Sequence, residues 1–281
     1  MATPRSPLPS YLQSTWRVFD LSLGQTLWSR RSVFLALLVL GPVVLALVVR
    51  LLAVMAPSTA TFRINGAVVS GSSIFGLMIW GVYLRFIVPV LGVFYGTSLV
   101  ADEVEDKTIT YLFTRPIRRS AVVAGKYLAY LACTVLLILP SVVLVYLLIT
   151  PLGGGSIGRG FPSLVKDLAM LALGLMAYGA LFSLIGARLK RPLVSGLVFV
   201  LGWEPAILVF PGYLKRATVA YYLQALVPHA MPDDSNLALL FSFVRDVPTP
   251  LASLAALAAI AVLSLWLAGR AIERREYVLE Q

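Results

Sequence analysis

Long apolar runs broken by short polar stretches organise this 281-residue chain. Segments near 33–55, 77–100, 127–149, 164–186, 193–211 and 251–268 carry almost no charge. Each approaches or exceeds the roughly 20 apolar residues that take a helix across the hydrocarbon core. Lipid offers the backbone no hydrogen-bond partner, so all six are predicted as transmembrane helices. Ahead of them, in "YLQSTWRVFDLSLGQTLWSRR" (residues 11–31), Leu12, Trp16, Phe19, Leu23 and Leu27 recur at helical steps. Trp16, Arg17, Trp28 and Arg30 suit a helix lying in the membrane interface; a helix packed on a partner protein is the other reading. Residues 1–10, rich in Pro and Ser, read as a disordered terminus. With no apolar stretch before Val33, the first span reads as a retained signal anchor.

The predicted architecture is therefore an all-α polytopic membrane protein, one transmembrane domain over 1–281. It has six spans, an N-terminal interfacial helix (11–31), a cytoplasmic loop (101–126) and an external cap (212–250) between spans five and six. Composition supports this. Residues are 59% hydrophobic and 13% charged, whereas a soluble domain carries about a quarter charged. With both termini cytoplasmic, fifteen Lys and Arg fall on inner segments and six on outer ones, as the positive-inside rule requires. The net charge of +10 is thus spread by topology. No basic face for nucleic acid results, and anionic lipid headgroups are the expected partners.

The connections differ in character. External residues 56–76 are short and contain Gly66 and Gly71, and "TPLGGGSIGRGFPS" holds five glycines and reads as a flexible loop. In 212–250, "YLKRATVAYYLQALVPH" and "NLALLFSFV" are helix-compatible. Pro42, Pro89, Pro140 and Pro205 lie inside spans and invite kinks. Gly92 and Gly96 form a GxxxG, a place for close helix approach.

Catalytic chemistry is sparse. His229 has no nucleophile beside it, Asp233–Asp234 reads as a turn, and Cys133 sits within span three as a small core residue. No catalytic or metal-ligating set emerges. "SAVVAGKY" has Gly125 and Lys126 but lacks the first glycine and the hydroxyl residue of a P-loop. Arg85 in the second span and Glu204 in the fifth are ionisable residues well inside their spans, at similar depth. Intramembrane charges are functional candidates. Either the two pair, or Arg85 snorkels outward and Glu204 borders a wet vestibule.

The most informative stretch is "ADEVEDKTITYLFTRPIRRSAVVAGKY", residues 101–127, which holds nine charged residues. Helix connections usually need about 2–8 residues, so its length favours a docking role. "KTITYLFT" is helix-compatible, Pro116 ends that helix, and Ser120 stands where the next N-cap is expected. Here the chain resembles the permease subunits of ABC-2 type ABC transporters. Their first cytoplasmic loop carries E-x-x-x-G-T-L-x-x-L-x-x-x-P-[IV]-S-R and ends in G-K-x-L-A. Glu103, Thr108, Ile109, Leu112, Pro116, Ile117, Arg119, Gly125, Lys126, Leu128 and Ala129 occupy corresponding places. Lys107 replaces the usual glycine and Arg118 the usual serine. The layout of spans extends the resemblance over nearly the whole chain.

The resemblance implies a coupling helix seated on a separate ATP-binding cassette subunit, with Glu103, Thr108, Ile109, Leu112, Pro116, Arg118 and Arg119 in contact. "ARLKRP", with Lys190 and Arg191, is the second contact or ordinary positive-inside charge. This chain would bind no cofactor, with ATP and Mg on the partner subunit. A second permease, a copy or a paralogue, would complete an exporter in the plasma (inner) membrane of a prokaryote. Two other functions stay open: a membrane anchor or regulator that recruits a cytoplasmic partner, and an ion-coupled secondary carrier using Arg85 and Glu204.

Overall fold

The computed structural model describes residues 10–28, 30–55, 63–64, 67–68, 70–99, 119–152, 155–209, 213–226 and 248–274. Helix α1 (Tyr11–Leu27) opens on a capping box. The Ser10 hydroxyl accepts from Gln13 N and Gln13 Oε1 accepts from Ser10 N, both at 3.3 Å. Two donors that a helix start leaves open are thereby satisfied. Helix α2 (Arg30–Met55) follows, then a hairpin of β1 (Arg63–Ile64) and β2 (Ala67–Val68) with Arg63 opposite Val68. The hairpin lies within the predicted external connection 56–76. The Asn65-Gly66 dipeptide between the strands is a strong sequence signal for such a turn.

Next come α3 (Gly71–Leu99), α4 (Arg119–Ile149) and α5 (Ile157–Arg188). Helix α6 runs as Pro192–Val198, Phe199–Trp203 and Glu204–Val209. A 3₁₀ turn (Tyr213–Ala217), the short α7 (Val219–Gln224) and α8 (Pro250–Arg274) complete the described elements. Five helices are long and apolar enough to cross a membrane: Leu35–Met55, Gly71–Leu99, Ser120–Ile149, Ile157–Arg188 and Pro250–Ile272. The predicted fifth span is a shorter apolar helix, Pro192–Ile207. At about 1.5 Å per residue it falls short of a hydrocarbon core about 30 Å thick. Ser120 is not an N-cap, because α4 has already begun at Arg119. Hydropathy marks where a helix turns apolar, and its first turn is set by the backbone.

Helices α3 and α6 are not α-helical throughout. Met78–Ile87 and Gly92–Gly96 of α3, and Phe199–Trp203 of α6, wind as π-helix. Proline lacks the N–H for the carbonyl four residues back and crowds it. For Pro89 and Pro205 those carbonyls belong to Arg85 and Leu201, both within the widened turns. Pro42 and Pro140 sit in helices that remain α, so proline alone does not dictate the widening.

The core forms where α3, α4, α5 and α6 meet. A Cβ on Gly92 or on Gly96 would lie 2.8 Å from Tyr178 Cβ or Phe182 Cβ, respectively. One on Gly196 of α6 would lie 2.9 Å from Val93 Cγ1. Small residues let these backbones approach where no hydrophobic force drives helices together in lipid. Tyrosines supply polar links: Tyr127 and Tyr130 of α4 donate to the Met176 and Leu175 carbonyls at 2.7 and 2.8 Å. Helix α2 is peripheral, with 17% of its apolar window buried against 61% for α3. It is tied on by Tyr95 to Ser32 at 2.8 Å and by Ser141 donating to the Val39 carbonyl at 3.0 Å. Since the Ser141 proton is used there, Tyr83 is the donor in the 2.5 Å Tyr83–Ser141 contact.

Helix α1 packs against the first turns of α4. A Cβ on Gly125 would lie 2.6 Å from the Thr15 carbonyl oxygen and 2.8 Å from Val18 Cβ. The face that α1 buries is Ser14, Thr15, Val18 and Ser22, while Leu12 and Trp16 of the apolar stripe point outward. The small residues meet protein, and part of the apolar stripe is left for other surroundings.

Candidate functional site

One end of the bundle, the near end, carries Leu99, Arg119 and Arg188; the far end carries Gly71, Ile149 and Ile157. Most of the segment expected to dock a partner lies outside the described residues, including Glu103, Thr108, Ile109, Leu112, Pro116 and Arg118. Arg119 is described as the first residue of α4. Lys126 Nζ donates to the Leu99 carbonyl at 3.3 Å, so the last turn of α3 is fastened to α4 close to where 100–118 leaves and returns. Lys190 and Arg191 are exposed in the turn between α5 and α6. Pro192 stands in the first turn of α6, where its missing N–H costs nothing.

The two intramembrane charges come together by helix geometry. Gly196 faces Val93, and eight residues further along each of these antiparallel helices, about 12 Å, stand Glu204 and Arg85. They interact through space, yet neither expected arrangement describes them. Glu204 is 4% exposed and its oxygens are engaged elsewhere. Tyr178 Oη donates to Oε2 at 2.6 Å, and the backbone N–H groups of Val219 and Ala220 donate to Oε1 at 3.2 and 3.3 Å. Arg85 lies over the Trp80 ring at 4.8 Å. Its Nε is buried with no hydrogen-bond partner among the described residues.

The backbone contacts give Glu204 a structural meaning. The first N–H groups of a helix have no partner within it. Thr218 stands at the N-cap of α7 but its side chain does not cap; its hydroxyl donates to the Lys215 carbonyl at 2.8 Å. Glu204, from another helix, takes over. A carboxylate accepting three donors is the usual way to hold a buried acid, since such bonds are about twice as strong as neutral ones.

The segment thus held, Tyr213–Leu226, is the described start of the predicted 212–250 segment, and its short helix packs inside the bundle. A Cβ on Gly174 would lie 3.1 Å from Val88 Cγ1 and 3.2 Å from Leu223 Cδ1. Gly174 and Val88 are each about halfway along their helices, so α7 re-enters the bundle from the far end. Val219, Ala220, Tyr221 and Leu223 are buried there. Non-helical backbone is tolerated at membrane depth only where protein covers it.

Sequence reasoning missed three features of the bundle. Tyr178 is fully buried and has no distinguishing pattern in the chain. Asp167, also fully buried, lies inside the predicted 164–186 span, and its charge there was the available signal. The π turns had only their prolines as a hint. Among the described residues no group of three or more His, Cys, Asp or Glu could hold a metal ion, and Cys133 is a buried free thiol.

Against known protein families, residues 52–268 match the one described as ABC-2 family transporter protein. No curated protein matches the chain. A match over most of the sequence, on a helical bundle with five membrane-capable helices, leads to one conclusion: the chain belongs to the ABC-2 family of transporter proteins and is a multi-pass membrane permease.

Proposed function

We propose that this permease is the membrane half of an ATP-driven exporter. The observation that carries the proposal is the family match over residues 52–268. Permeases of this family are transmembrane subunits that generally work with an ATP-binding subunit. In our reading ATP and Mg bind that partner, and a second permease, a copy or a paralogue, completes the complex. Segment 101–126 docks the partner through Glu103, Thr108, Ile109, Leu112, Pro116, Arg118 and Arg119, and Lys190 and Arg191 form a second contact. Both termini and these contacts face the cytoplasm, in the inner membrane of a prokaryote. The Lys126–Leu99 bond and the close seat of α1 on Gly125 support a mechanical role. A push on 101–118 has a fastened base from which to reach α1, α3 and α4 together.

The test is co-purification in detergent of the tagged chain at natural expression, followed by mass spectrometry and an ATPase assay. We expect an ATP-binding subunit with the wild type and its loss with the double variant Glu103→Ala, Leu112→Ala. Absence of any ATPase from both preparations would refute the proposal.

A further inference from the structure

The re-entrant segment poses a physical question: what keeps it inside the bundle? Its buried side chains are Val219, Ala220, Tyr221 and Leu223, and apolar side chains gain little by exchanging lipid for protein. Backbone donors are different, because each N–H left unpaired in a low-dielectric setting is costly. Those of Val219 and Ala220 both end on Glu204 Oε1. The other oxygen is fixed by Tyr178 of α5, so one carboxylate joins α5, α6 and α7. Glu204 also follows directly on the π turns Phe199–Trp203. Loss of the extra residue in those turns would rotate Glu204 by about 100° and withdraw it from the two amides.

We propose that Glu204 is the positioning residue of the far-end gate: its carboxylate tethers Thr218–Gln224 inside the bundle, and turning of α6 releases it. The tether itself rests on geometry alone; only its release during transport rests on the permease reading above.

The experiment uses the whole complex in lipid nanodiscs, with Cys133→Ala as background and Ala220→Cys as reporter. Labelling by a membrane-impermeant maleimide is timed. Ala220 is 7% exposed, so labelling of the otherwise wild-type chain is slow. Glu204→Ala is expected to accelerate it about tenfold or more, the scale of losing charge-assisted bonds. Glu204→Gln keeps an acceptor oxygen and is expected to stay within about threefold of the wild type. Tyr178→Phe, which removes one donor and leaves the backbone contacts, is expected to fall between. It carries the test should the alanine variant fail to fold. Equal labelling across the variants overturns the tether. Vanadate trapping with ATP should speed labelling of the wild type towards the alanine rate. No response to trapping in a complex that hydrolyses ATP overturns the release step. A preparation without ATPase activity refutes the ATP-driven reading instead, and the ranking of variants then still supports or overturns the tether.

Discussion

Gly125→Ala sets two effects of known size against each other. In the middle of a helix, alanine is favoured over glycine by about 1 kcal/mol. Against this, the new Cβ would lie 2.6 Å from the Thr15 carbonyl oxygen and 2.8 and 2.9 Å from Val18 Cβ and Cγ1. A backbone oxygen cannot rotate away, so α1 must retreat by about 0.5 Å or more, and overpacking of this kind costs about 1–3 kcal/mol. The propensity gain belongs to α4 whether or not α1 is docked, so the docking of α1 bears the overpacking cost alone, which multiplies its undocked fraction by about five- to 150-fold. Trypsin cleavage after the exposed Arg17 reads that fraction, because cleavage within a helix follows local opening. We expect faster cleavage in Gly125→Ala than in the wild type, and complete exposure in Gly125→Leu. Unchanged or slower cleavage of the alanine variant would mean that α1 does not rest on Gly125 as described.

Other consequences follow from single contacts. Ser141→Ala removes the acceptor of Tyr83 and the donor to Val39; thermal unfolding in detergent should register a loss of about 1–2 kcal/mol. Gly96→Leu places a side chain where Phe182 Cβ is 2.8 Å and the Gly179 carbonyl oxygen 3.0 Å from a bare Cβ, and purified protein should fall sharply or aggregate on gel filtration. Pro89→Ala restores a donor for the Arg85 carbonyl and should shorten the π segment, turning Arg85 away from Glu204. Substrate-stimulated ATPase activity of the complex should then drop although no side-chain contact has been deleted.

The sequence by itself determined what lipid and water decide. Charge-poor runs of sufficient length named five of the helices now described, because transfer to hydrocarbon depends on composition and needs no partner. The same logic singled out Arg85 and Glu204, two charges at one depth. Fold class and family were legible for this reason, the family through the 101–129 pattern and the layout of spans. Tertiary structure decided how each helix pairs its polar groups. No periodicity reveals that Tyr178 reaches Glu204, that Gly125 seats α1, or that Val219 and Ala220 take their hydrogen bonds from another helix. The re-entry of α7 was hidden for the same reason: its residues suit a cap as well as a core, and only a carboxylate fifteen residues away makes burial of its first turn tolerable. Hydropathy is a property of each segment against its solvent, whereas pairing of donors and acceptors exists only between segments already brought together.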